Sequence, residues 1–217
     1  MQRRGLSEDE CLKIIESTGA VRKEHCVLTS GRHADTYINK DDVSTKPRLL
    51  SQLAKTIADN FWGELGADVV AAPAVGAVAL GNWVAYHYAD RLISVFAEQT
   101  EEGFAFRRGY ERYITGCTRV LVFEDIITTG KPTKAMIEAV KFLGGEVVGI
   151  GLLWNRSTEE FEAPVFACVS KPLLSYSAED CQLCKDCVEI TTDVGHGRQF
   201  LEEHGKDPRN WLANKES

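Results

Sequence analysis

The stretch from Val120 to Lys131 constrains this chain more than any other. Val120, Leu121, Val122 and Phe123 form an unbroken apolar run that ends in two adjacent carboxylates, Glu124 and Asp125. Ile126 and Ile127 follow, then the turn Thr128-Thr129-Gly130-Lys131, after which Pro132 and Thr133 open a helical pattern. A continuous apolar run of this kind suits a strand buried on both faces of a parallel sheet. Strand, glycine turn and helix together aim backbone N–H groups, Thr hydroxyls and the positive end of a helix dipole at one point, which is a cradle for phosphate. The acids at the strand's carboxyl end stand where open α/β sheets bind ligands. They repel phosphate but accept hydrogen bonds from sugar hydroxyls. The site therefore asks for a phosphate beside a diol, and a phosphorylated ribose fits.

The rest of the chain supplies the matching architecture. Ser7-Glu8-Asp9-Glu10 reads as a capping box, with Gly19 as the stop of the helix it starts. Val21–Leu28 and Thr36–Asn39 read as short strands around the Ser30-Gly31 turn. Pro47 suits a first helical position, and Leu50, Leu53, Ala54, Ile57, Ala58 and Phe61 recur at spacings of three and four. Alternation follows: strand 68–72, helix 78–88, strand 92–96, strand 119–124, helix 133–143 and strand 146–154. This pattern predicts an α/β fold, a central parallel sheet with helices on both faces. The chain reads as a single domain, 1–217, with a core of about 41–156. A small hood is expected from about 1–40 and 157–217.

A length of 217 residues is enough for such a core. A net charge of −7 and a pI near 5.3 argue against nucleic acid and against a membrane surface. No apolar run approaches the roughly 20 residues that span a bilayer, and Met1-Gln2-Arg3-Arg4 lacks a signal peptide's apolar core. Seven cysteines, an odd number, point to thiols rather than a disulfide framework and hence to the cytoplasm.

The run from Val120 to Lys131 resembles the phosphoribosyl-diphosphate signature of the type I phosphoribosyltransferases, and within them the chain resembles the orotate phosphoribosyltransferases. The segment from Thr29 to Lys40 is similar to that family's early orotate-side loop, and Asn155-Arg156-Ser157 to its base-contacting arginine. The resemblance runs from about Leu28 to Cys187. It implies transfer of phosphoribosyl from 5-phosphoribosyl 1-diphosphate to orotate, giving orotidine 5-monophosphate and pyrophosphate. It also implies Mg²⁺, held mainly by substrate near Glu124 and Asp125, and a homodimer with loops reaching across the interface.

Residue by residue, the resemblance assigns the donor to Pro73, Ala74, Val75 and Gly76, to Glu124 through Ile127, and to Thr128 through Thr133. Asp125, Arg107 and Arg108 are the candidate catalytic groups; Tyr37, Lys40, Thr128 and Arg156 are the candidates for the base. Adjacent strand residues point to opposite faces, so Glu124 and Asp125 meet one ligand only where strand gives way to loop. Three departures stand out. Lys131 is similar to the hypoxanthine-guanine members, Pro132 lacks the usual N–H donor, and the segment from Glu98 to Tyr110 has glutamates where the family carries lysines and a histidine. That segment reads either as a closing lid or as an exposed hairpin. Two other classes therefore stay open: a purine-type transferase, and a catalytically silent protein that senses the donor. His33 reads as a surface histidine. Cys181, Cys184 and Cys187 read either as surface thiols or as three zinc ligands, with Cys168 or His196 completing the set.

Overall fold

Two kinds of side chain alternate along the central strand, and they decide what lies on each face of the sheet. The structure, a computed structural model, describes residues 5–61, 65–88 and 92–205; the polar start Met1–Arg4 lies outside them. The described chain divides into two compact units, Met1–Thr18 with Lys40–Pro172, and Gly19–Asn39 with Leu173–Ser217.

The first unit contains α1 (Glu8–Ser17), α2 (Lys40–Ser44), α3 (Pro47–Phe61), β5 (Val69–Pro73), α4 (Val78–Tyr88), β6 (Ile93–Thr100), β7 (Gly103–Phe106), β8 (Arg119–Ile127), α5 (Lys131–Phe142), β9 (Glu146–Asn155) and β10 (Val165–Ser170). The numbers β1–β4, α6 and α7 belong to the second unit. The sheet order is β10-β9-β8-β5-β6-β7, with every neighbouring pair parallel except β6 and β7. Val120 and Val122 of β8 bury one face with Met136 and Val140 of α5. Leu121 and Phe123 bury the other: β9 carries Gly149 against Leu121 and Phe61, and Gly151 against the Phe123 ring and Ile57. On the same side Gly81 of α4 lies against Val70 and Ala72 of β5. Helices cover both faces, as the alternation predicts. Each apolar side chain fully buried this way contributes roughly 2 kcal/mol.

Ser7 caps α1, its hydroxyl accepting from Glu10 N–H while the Glu10 carboxylate accepts from Ser7 N–H at 2.8 Å. The expected hood differs in two places. α1 and residues 157–172 belong to the sheet unit, because β10 pairs with β9 and the Glu8 carboxylate accepts from Ser170 N–H at 2.9 Å. The segment from Glu98 to Tyr110 is a β-hairpin: β6 runs on to Thr100, turns at Glu101-Glu102 and returns as β7.

The second unit holds β1 (Val21–Arg22), β2 (Cys26–Val27), β3 (His33–Ala34), β4 (Tyr37–Ile38), α6 (Gln182–Lys185) and α7 (Gly197–His204). β1 pairs with β4 and β2 with β3, both antiparallel. Gly31, at φ +75°, makes the turn between β2 and β3, donating to Leu28 O at 2.9 Å. His33 exchanges backbone hydrogen bonds of 2.8 Å in both directions with Tyr176. One apolar cluster of this unit is Val27 and Ile190, with Ala178, Phe200 and Leu201 packed against them. His33 is fully buried, a correction to its reading as a surface residue. Its burial comes from residues that follow about 150 positions later, Tyr176 and Cys184 among them.

Candidate active site

The parallel strands fix where a ligand can sit. β6 is laid down on one side of β5 and β8 on the other, so the order reverses between β5 and β8. At such a switch point the loops leaving the two strands part in opposite directions and open a crevice at their carboxyl ends. Here β5 stops pairing with β8 at Ala71 and Val122, whereas β8 continues beside β9 as far as Ile127. Glu124 and Asp125 therefore lie beyond the last rung on the β5 side. Both line one cleft of about 460 Å³ although the strand has not yet ended.

The loop after β5 forms one wall. Pro73, Ala74, Val75 and Gly76 all line the cleft, and the Ala74–Val75 peptide is cis. Gly76 lies so close to the acids that a Cβ there would run into the Asp125 carboxylate and come within 2.9 Å of Lys40 Nζ. Lys131 and Pro132, the start of α5, form the opposite wall with Ile126. Gly130 caps this helix at φ +71°, a conformation that suits glycine. Thr128 and Thr129 are exposed on the turn, with Thr129 Oγ1 accepting from Lys131 N–H at 3.5 Å, while Ile127 is buried. Thr133 is buried, its Oγ1 without a hydrogen-bond partner among the described residues.

Lys40, at the start of α2, ion-pairs with Asp125 Oδ2 at 2.8 Å. The other Asp125 oxygen accepts from Ile126 N–H at 2.7 Å, and a Glu124 oxygen from Asp125 N–H at 3.1 Å. Burial pulls the Lys40 ammonium down, but the hydrogen bond and charge of Asp125, with Glu124 and Asp41, outweigh it and raise its pKa. Glu124 is pushed up to about 8 by burial and then by the Asp125 charge beside it. A carboxyl whose folded pKa lies above its usual 4.5 holds its proton better folded than unfolded. Its contribution to stability is complete below about 4.5 and is lost as pH rises through about 8. The variant Glu124→Gln is expected to lose this component: over that window its denaturation midpoint should fall less with pH than that of the parent chain. Parallel urea titrations across the range check this.

The structure gathers the two acids, the loop after β5, Lys40 and the start of α5 into one cleft. It does not bring in Arg107 and Arg108. Both are exposed beyond the hairpin, and Arg108 Nε bonds Glu98 at 2.6 Å. The same hairpin delivers Gln99, Gly103 and Phe104 to the cleft instead, and α5 adds Ala135. The sequence marks Gln99 and Gly103 only as parts of a polar loop; strand register decides which of its side chains face the crevice. Arg156 is half-buried after β9, its N–H donating to Ile127 O at 2.9 Å, beside the turn that follows β8. Tyr37 stands half-buried on β4, in the second unit.

No family model matches the chain. Curated proteins do. The orotate phosphoribosyltransferase of Caldanaerobacter subterraneus subsp. tengcongensis is 35% identical over 187 residues, which are 85% of this chain and 96% of that protein. The chain belongs to the orotate phosphoribosyltransferase family. The orotate phosphoribosyltransferase of Chlorobium phaeobacteroides is 33% identical, spanning 89% of this chain and 99% of its own. A likeness of fold extends to the Mycobacterium tuberculosis orotate phosphoribosyltransferase solved with 5-phospho-alpha-D-ribosyl 1-diphosphate, with TM-score 0.58 and 21% identity, covering 75% of this chain and 95% of that one. The cleft at the β5–β8 switch point is thus the candidate active site of an orotate phosphoribosyltransferase family member.

Proposed function

We propose that this chain transfers the phosphoribosyl group of 5-phosphoribosyl 1-diphosphate to orotate, giving orotidine 5-monophosphate and pyrophosphate. The observation that carries the reading is similarity over most of the chain to curated orotate phosphoribosyltransferases, in a chain whose acidic pair and helix start meet at the switch point of the sheet. In this reading Glu124 and Asp125 hold the ribose hydroxyls. The turn from Thr128 to Lys131 and the first turn of α5, with Thr133, take the 5-phosphate through amide hydrogens, hydroxyls and dipole. The backbone of Pro73–Gly76 approaches the diphosphate, where larger side chains would obstruct it. Lys40 holds Asp125 before the donor arrives, and Lys40, Thr128 and Arg156 are the groups for the base. Arg156 suits a carboxylate because its fork donates two parallel hydrogen bonds.

The anomeric carbon passes through an oxocarbenium-like state, so the protein's task is alignment of donor and base and stabilisation of the leaving diphosphate. Magnesium fits the site: buried carboxylate oxygens of Glu124 and Asp125 are the hard donors it takes, one or two at a time, alongside substrate phosphates. Bound there, it would supply positive charge to a departing pyrophosphate. Arg107 and Arg108, away from their own cleft, serve that charge in a homodimer, reaching the second copy. The cytoplasm is the compartment that fits a chain of thiols. Among the described residues no helix is long and apolar enough to cross a membrane.

The experiment is a pyrophosphate-release assay with donor and Mg²⁺ against orotate, adenine, guanine and hypoxanthine in turn. Release with orotate alone is expected. Release with a purine alone would make the chain a purine-type transferase, and donor binding without release against any base would make it a silent sensor.

A further inference from the structure

The second unit brings four ligating atoms from opposite ends of the sequence to one point. His25 precedes β2, His33 begins β3, Cys181 caps α6 and Cys184 lies within it. His25 Nε2, His33 Nδ1 and the two Sγ atoms all lie within 4.8 Å of one another, and all four residues are buried. His25 Nε2 is 3.0 Å from His33 Nδ1 and 3.6 Å from each sulfur, and Cys184 Sγ is 3.2 Å from His33 Nδ1. A tetrahedral ion with metal–sulfur bonds of about 2.3 Å and metal–nitrogen bonds of about 2.0 Å has edges of roughly 3.3–3.8 Å. Four of the six edges stand within a few tenths of an ångström of those values, and the other two, from Cys181 Sγ to His33 Nδ1 and to Cys184 Sγ, are no longer than 4.8 Å.

The tautomer is also set. His25 Nδ1 lies 2.8 Å from the carbonyl oxygen of Val188. A carbonyl only accepts, so Nδ1 carries the proton and Nε2 turns its lone pair toward the cluster. That is the outer-shell arrangement by which proteins orient a metal-binding imidazole. The Phe200 ring packs edge-on against His33 at 4.8 Å and fixes its plane.

We propose that His25, His33, Cys181 and Cys184 form a structural Zn²⁺ site. Two thiolates and two neutral imidazoles balance the charge of a dication, which suits burial. Four protein ligands leave no open position, so the ion staples rather than catalyses. The unit has reason to need one, since its four strands are two residues long each and small units are commonly held by metals. The ligand set corrects the reading from spacing. Cys187 is exposed at φ +55°, His196 is exposed, and Cys168 lies in the other unit, its Sγ 3.7 Å from Leu53 O. The cysteine pair was visible in the sequence; the histidines were not.

Elemental analysis of the whole 217-residue chain, purified after equilibration with Zn²⁺ and desalting, tests this independently of the transferase reading. About one zinc per chain is expected, lost to near zero on His25→Ala or Cys184→Ser and kept on Cys187→Ser. Because those two variants can fail to fold, the parent chain is also stripped with chelator and titrated with Co²⁺ alone. Intense visible bands and a thiolate charge-transfer band, saturating at one equivalent, are the expected signature of a tetrahedral S₂N₂ site. A parent chain that retains no zinc, a cobalt complex without thiolate bands, or zinc lost with Cys187 would each overturn the assignment.

Discussion

Asp125→Asn is expected to weaken binding of 5-phosphoribosyl 1-diphosphate by about 100-fold, or about 2.7 kcal/mol. The change keeps shape and an acceptor for Ile126 N–H, so the strand end should survive. What goes is the negative charge, and with it charge-assisted hydrogen bonds to the ribose hydroxyls, each stronger than its neutral counterpart by roughly a factor of two. Lys40 loses its ion-pair partner at the same time. That pair is half-open to solvent on the lysine side, so its loss alone moves stability by less than about 1 kcal/mol. Calorimetric titration of donor with Mg²⁺ reads the effect, and a thermal melt reads the fold. Unchanged affinity in a folded variant would remove the acidic pair from the site.

Gly76→Ala is expected to lower kcat/KM for the donor by a similar factor, about 100-fold, because misplacement of reacting groups by about 1 Å has that cost. No unusual backbone angle is involved at Gly76. The added methyl would occupy space held by the Asp125 carboxylate and crowd Lys40 Nζ, so either the acid or the loop after β5 must shift. Both belong to the same cleft. Gly116→Ala is the control, since a Cβ there meets nothing within 4 Å. Steady-state kinetics of the two variants side by side decide the matter: equal, near-parental rates would show that close approach at Gly76 has no part in donor use.

Much of the first unit was legible residue by residue. The helix Val78–Tyr88 has the bounds its pattern predicts, α3 buries the stripe from Leu50 to Phe61, and β8 and β9 run three residues and one residue past their expected ends. These elements are long and their apolar periods are unambiguous. β10 was missed because Val165–Ser170 is short, and its apolar content alone does not separate an edge strand from a loop. The hairpin β6–β7 was one of two open readings, and nothing local chose between them. The cleft's two acids, its Pro73–Gly76 wall and the start of α5 stood out in the sequence because each is a contiguous motif. Gln99 and Phe104 did not, since their facing depends on register across β6 and β7.

The sequence by itself determined the alternation of strands and helices, the phosphate-cradle turn and the family resemblance. All three are written in neighbouring residues, whose local periodicity and turn chemistry need no distant partner. Tertiary structure alone decided that Glu124 and Asp125 share one crevice, because that follows from where β5 stops pairing. It alone placed Lys40 against Asp125 and turned Arg108 to Glu98. It alone set His25 and His33 beside a cysteine pair some 150 residues away. Each of these depends on strand register or on packing between segments that local sequence patterns do not specify.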